Sequence, residues 1–297
     1  MLRSVIAFVL SNIVTLFMFS EGLAREPGEI RHVLERPALY VRALVVVLLL
    51  VPLVALGVVY AFRLPTVLAS AILLMAVCPG APLQVNQAKS LGANPTTSIN
   101  LLLLLSVCAL ITVPAWVVVL DRLLGVEFRA SPELVFRLLA VKILPPLAVG
   151  IAVRYYLPHV AQALAPWCSR VFTVLLVAVS VGLLFIVGPK LIHVAWLAVV
   201  ALVMLVTVSA LLGHWAGAPR LEDRKAVALA AAFAHPVLSM TIIIQSYPNY
   251  RALEVAGIVG AFVVIRLLAL TPYRMWVKRQ GEHAGSKRLP PHGGVPA

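Results

Sequence analysis

Apolar residues fall in nine runs separated by short polar joints, at about 5–23, 39–62, 66–88, 96–120, 134–156, 167–188, 191–216, 225–246 and 254–277. Each is near the roughly 20 residues that a helix needs to cross a bilayer. The stretch 99–120 carries no charge at all. Apolar and polar residues do not alternate along the runs, so a membrane β-barrel does not fit. The pattern predicts an all-α polytopic membrane protein with nine transmembrane helices. The first run has Arg3 ahead of it and Ser20 near its end, as a signal peptide would. Glu21 and Arg25 interrupt any small-residue cleavage site, so this run is read as retained.

Composition agrees with the pattern. The chain has 297 residues, 62% hydrophobic and 12% charged, against about a quarter charged in soluble domains. There is too little polar surface to cover a water-soluble sphere, which argues against soluble enzymes, nucleic-acid binders and disordered proteins. The net charge of +13 is scattered in small groups between the runs, which suits headgroups and topology rather than nucleic acid. Arg25, Arg31, Arg36, Arg42, Lys89, Arg154, Arg170, Arg220, Arg224, Lys225, Arg274, Lys278, Arg279, Lys287 and Arg288 fall on the side of the C-terminus. Arg3, Arg63, Arg122, Arg129, Arg137, Lys190 and Arg251 fall on the other. The excess predicts a cytoplasmic C-terminus and an outside N-terminus in the inner (plasma) membrane. Residues 1–280 read as one transmembrane domain and 281–297, rich in Gly and Pro, as a disordered cytoplasmic tail. Cys78, Cys108 and Cys168 have neither disulfide nor zinc spacing, so no metal site or cofactor is expected.

Two runs are interrupted. The third holds Cys78-Pro79-Gly80-Ala81-Pro82-Leu83-Gln84-Val85-Asn86-Gln87, and the fourth then opens with Thr96, Thr97, Ser98 and Asn100. The eighth holds Phe233-Ala234-His235-Pro236-Val237-Leu238-Ser239. Pro79, Pro82 and Pro236 remove helix donors, and Gly80 frees the backbone. Irregular backbone in hydrocarbon is costly unless protein or water covers it. A pair of broken helices, one per half, points to a midplane binding site whose half-helix ends hold a solute. The plain alternative is a pair of proline kinks whose polar groups bond to neighbouring helices.

Several stretches resemble the bile acid:sodium symporter superfamily. Phe17-Met18-Phe19-Ser20-Glu21-Gly22-Leu23, Glu35-Arg36-Pro37, Cys78-Pro79-Gly80, Ala88-Lys89-Ser90-Leu91-Gly92-Ala93-Asn94 and Val141-Lys142-Ile143-Leu144-Pro145-Pro146 resemble its motifs in order. The resemblance implies the nine-span form, an inverted repeat lacking its first helix. Spans one, five and six would form a panel bundle. Spans two to four and seven to nine would form a core bundle in which the two broken helices cross. Substrate would sit between the bundles, which move in alternating access.

The chain departs from the family at its ion ligands. The family's Ser-Asn falls near Leu83-Gln84, its Ser and Thr near Thr97 or Ser98 and Leu101, and its preceding-helix Gln near Val47. Its Glu falls near Ala230 and the following Gln near Ala234, while His235 replaces an Asn and Arg266 a His. No acid lies deep in a run, so sodium coupling is disfavoured, though it stays an alternative. His235 is a candidate for proton coupling, or a neutral histidine bonded to a helix carbonyl. His214 reads as structural. Lys142 and Arg266 either snorkel to an interface or face the cleft and attract an anion. The expected activity is secondary transport of a small organic anion or amphipathic solute. Its substrate site would comprise Gln84, Asn86, Gln87, Thr97, Ser98, His235 and Ser239. A sensor or scaffold that no longer transports is the other reading. No catalytic motif is present, so an enzyme is not expected. The expected partners are a small-molecule substrate and lipid, not nucleic acid; composition leaves oligomeric state open.

Overall fold

The computed structural model describes residues 2–24, 29–80, 82–124, 132–191, 195–246 and 249–286. All regular structure among them is helical. In chain order the helices are α1 (Leu2–Leu23), α2 (Glu29–Glu35), α3 (Pro37–Val45), α4 (Val51–Ala61), α5 (Thr66–Val77), α6 (Pro82–Ser90) and α7 (Pro95–Leu124). There follow α8 (Pro132–Tyr156), α9 (Pro158–Leu191), α10 (Ala195–Ala216), α11 (Leu221–Ala232), α12 (Pro236–Ser246), α13 (Asn249–Ala269) and α14 (Thr271–Ser286).

Among the described residues six helical stretches are long and apolar enough to cross a membrane: Pro37–Ala61, Pro95–Leu123, Pro132–Tyr156, Trp196–Ala216, Leu221–Ile243 and Ile258–Gln280. Their outward faces carry Ile111, Leu268 and the indoles of Trp196 and Trp215, and α9 adds Val174 and the indole of Trp167, all well exposed. An apolar coat of this kind needs lipid around it.

Proline accounts for much of the local shape. A π-helical turn, Val46–Leu50, joins α3 to α4, and Val51 N–H donates to the Val46 carbonyl. Pro52 has no N–H for the carbonyl of Leu48 four residues back. Trp116 on α7 supplies the missing donor, its Nε1 lying 2.9 Å from Leu48 O. The second run therefore stays one span.

The run at 254–277 holds one membrane-length stretch, Ile258–Gln280, with a turn at Leu270 between α13 and α14, where Pro272 denies the Leu268 carbonyl its donor. Helix α14 also carries the chain to Ser286, into the stretch expected as a tail, whose remainder lies outside the described residues.

Helices α1, α8 and α9 pack on one another, and they touch the rest of the molecule through α7–α8, α9–α13 and α1–α12. Gly22 and Gly150 let α1 and α8 meet backbone to backbone, since a Cβ on either would strike the partner's main chain. Gly213 does the same between α10 and α11. The alanines of α11 allow close approach on every side. The most apolar stretch of Leu221–Ile243 is 94% buried, against 29% for Pro132–Tyr156. The innermost element of the fold is therefore a broken helix.

Candidate functional site: the crossing of two broken helices

Helix α5 ends at Val77, and Cys78 leaves the helical region at φ −102°, ψ 86°. Gly80 takes φ +83°, and a Cβ there would also stand 3.0 Å from the Ser106 hydroxyl of α7. Both facts require glycine. Helix α6 then restarts at Pro82, whose missing N–H is no loss in a first turn. The second break is built alike: Phe233 turns extended at φ −100°, ψ 129°, and α12 restarts at Pro236.

The breaks meet. His235 N–H donates to the Cys78 carbonyl at 2.7 Å. That carbonyl is free because its helical donor would have come from residue 82, a proline. The Ser239 hydroxyl lies within reach of the Leu74 and His235 carbonyls, at 3.2 and 3.1 Å, and donates to one at a time. The two half-helix pairs together thus supply two C-terminal ends, α5 and α11, and two N-terminal starts, α6 and α12, at the two breaks.

His235 caps α12. Its Nδ1 accepts the Leu238 N–H at 3.2 Å, which places the proton of the neutral ring on Nε2. Nε2 is buried and has no partner, and Phe17 of α1 stands edge-on to the ring at 5.6 Å. The neutral cap is a helix N–H accepted by the ring, where the sequence reading of a neutral histidine has a carbonyl as its partner. Gln84, in the first turn of α6, is 1% exposed, and neither its Oε1 nor its Nε2 has a partner. Burying such groups unpaired costs about 1–3 kcal/mol each.

The remaining expected site residues divide. Asn86 is exposed and Gln87 half-buried on α6. Thr97 and Ser98 are buried but bonded elsewhere. Ser98 Oγ donates to its own helix at Asn94 O, 2.9 Å away. Thr97 Oγ1 donates to Asp223 at 2.7 Å. Asp223, 1% exposed, also accepts Arg36 NH1 at 2.6 Å. Nearby, Asn100 Nδ2 donates to the Tyr40 hydroxyl, which lies 2.7 Å from His32 Nδ1. This second polar cluster ties α2, α3, α7 and α11 together through the bonds named, although Nε of Arg224, next to Asp223 in the chain, is buried without a partner.

A small cavity adjoins the crossing, with about 20 Å³ of space for water centres, room for roughly one water. Cys78, Pro79, Ala232, Ala234, Ser209 and Arg266 are among its lining residues. Arg266 is 5% exposed, so it does not snorkel, and Lys142 on α8 is half-buried. His214 is buried against Tyr273, its Nδ1 3.0 Å from that hydroxyl. Sequence reasoning missed Ser209 and Asp223. Ser209 is a lone hydroxyl in a run of valines and leucines. Asp223 sits in the charged joint Glu222-Asp223-Arg224-Lys225, where nothing separates it from its exposed neighbour Glu222.

Apolar helices with a lipid-facing coat, gathered around two interrupted helices that cross in the interior, define an integral multi-pass membrane protein. The sequence profile of the Sodium Bile acid symporter family matches residues 12–211, and the chain belongs to that family. Its members are membrane transporters, not enzymes. The match runs from α1 into α10 and takes in the first break; the second lies beyond it. No curated protein matches the chain.

Proposed function

We propose that the chain is a secondary carrier for a small organic anion or similarly amphipathic solute, working by alternating access. The observation that carries this reading is the pair of orphaned polar side chains, Gln84 and His235, at the N-terminal starts of α6 and α12. Helix starts present free N–H groups and positive dipole ends, which favour a carboxylate. Gln84 Nε2 and His235 Nε2–H add two donors of the same polarity. Ser239 holds the crossing in register, and Pro79, Gly80, Pro82 and Pro236 keep it irregular. Asn86 and Gln87 lie further along α6 and would meet solute on its way in. Thr97 and Ser98 serve the scaffold.

The cavity beside the crossing is too small for an organic anion. Entry therefore requires α1, α8 and α9 to move away from α12 and α13, with Phe17 leaving His235. The Lys and Arg distribution supports a cytoplasmic C-terminus. His235 works as a neutral donor, since protonating Nδ1 would break the cap on α12.

Uptake of labelled carboxylates into liposomes tests the reading. The expected result is saturable uptake that persists when sodium is replaced by choline and falls at least tenfold in Gln84→Leu. Absence of saturable uptake for every carboxylate under sodium and proton gradients alike would leave the sensor or scaffold reading, which the closed crossing supports.

A further inference from the structure

Arg266 is a permanently charged group in the protein interior, and its Nε has no hydrogen-bond partner. No carboxylate pairs with it among the described residues. An uncompensated buried cation is strongly destabilising, so its compensation has to be found in the backbone. Pro79 and Pro236 have no N–H, which strips the carbonyls of Met75 and Ala232 of their helical donors; the Cys78 carbonyl, freed in the same way by Pro82, already accepts one N–H, from His235. The three residues bearing those carbonyls line the cavity that Arg266 lines. Helices α5 and α11 also end there, and helix C-termini carry the negative end of the dipole. The surroundings are those of a cation site without acids. The positions that the family pattern gives to ion-binding side chains include Val47, Ala230 and Ala234, which have no side-chain oxygen; Val47 and Ala234 line this same cavity. These residues do not fit a sodium ion.

We propose that Arg266 is a resident cation at the helix crossing, its guanidinium taking the place that a dissociable inorganic cation would otherwise occupy. The positive charge at the crossing is then covalently fixed. It stays through every conformational cycle, and the crossing needs no ion from solution to hold the ends of α5 and α11 together.

The test reads stability of the purified full chain in detergent, so it stands or falls independently of transport. Wild type is expected to melt at the same temperature in sodium chloride and in choline chloride of equal ionic strength. Arg266→Ala is expected to melt lower and to recover by at least about 2 °C, saturably, on adding methylguanidinium. Arg266→Lys keeps a fixed cation and is expected to respond to neither. A saturable sodium-specific rise in wild type overturns the proposal, as does an Arg266→Ala protein that folds and ignores methylguanidinium. If Arg266→Ala cannot be purified, the other two proteins decide it: insensitivity of both to sodium supports the proposal, and a saturable sodium response in either overturns it.

Discussion

Two buried polar regions lie along the same pair of helices, α7 and α11, and they are built on opposite rules. Around Asp223 the polar side chains named above have partners: Arg36 and Thr97 on the carboxylate, Asn100 and His32 on Tyr40. At the crossing Nε2 of His235 is unpaired, with Oγ of Ser209 and Nε of Arg266 on the adjoining cavity; both polar atoms of Gln84 are unpaired in the first turn of α6, and Nε of Arg224 is unpaired next to Asp223 in the chain. A buried polar group that is satisfied holds elements together, whereas one left unsatisfied costs stability and persists where something else uses it. The first region is mortar between α3, α7 and α11; the second leaves buried polar atoms without a protein partner.

That contrast can be broken by substitution. Asp223→Ala should have the largest effect, lowering stability by about 3 kcal/mol, because it strands Arg36, which is only partly exposed, and the Thr97 hydroxyl. Denaturant titration of the purified protein would measure it; a loss below about 1 kcal/mol would remove the distinction. Thr97→Val tests the same cluster from the other side. Losing a bond to a charged acceptor should cost about 1.5–3 kcal/mol in the same titration, with the affinity for transported solute unchanged. A change in solute affinity without a change in stability would return Thr97 to the binding site.

At the crossing the effects should shrink and then reverse. His235→Leu removes the cap on α12 and should cost about 1 kcal/mol, while His235→Asn, which can still cap, should cost a few tenths. Both should lower uptake, since neither presents a donor at the position of Nε2. Gln84→Met keeps the volume and removes two orphaned polar atoms, so its melting temperature should hold or rise by the equivalent of up to about 1 kcal/mol while uptake collapses. A marked loss of stability in Gln84→Met would mean that Gln84 is bonded after all, and the contrast would fail at its most direct point.

The irregularities themselves were legible, because proline and glycine act locally. Pro79, Gly80, Pro82 and Pro236 mark the ends of α5 and the starts of α6 and α12 closely. Pro272 marks the turn between α13 and α14 inside one membrane-length stretch, and α2 was too short and too polar to be seen against the apolar background. Of the expected site residues, His235 and Ser239 both stand at the crossing, while Gln84 lies in the first turn of α6 and Thr97 and Ser98 are bonded elsewhere. Helical periodicity places them on α7, but only the approach of α11 decides that Thr97 faces Asp223.

The sequence by itself determined that this chain lives in a bilayer, that two of its helices are broken, and where. Those outcomes depend on composition and on backbone donors, and both are properties of short stretches. Only the tertiary structure decided that the breaks face each other, that Asp223 is buried and satisfied while its neighbour Glu222 is exposed, and that Arg266 is buried on the cavity beside the crossing rather than turned outward to headgroups. In an all-apolar chain every helix face is equally greasy. Hydrophobicity therefore cannot choose which face meets which, and the choice passes to close-packed glycine and alanine contacts and to a few polar pairs that exist only once the helices have assembled.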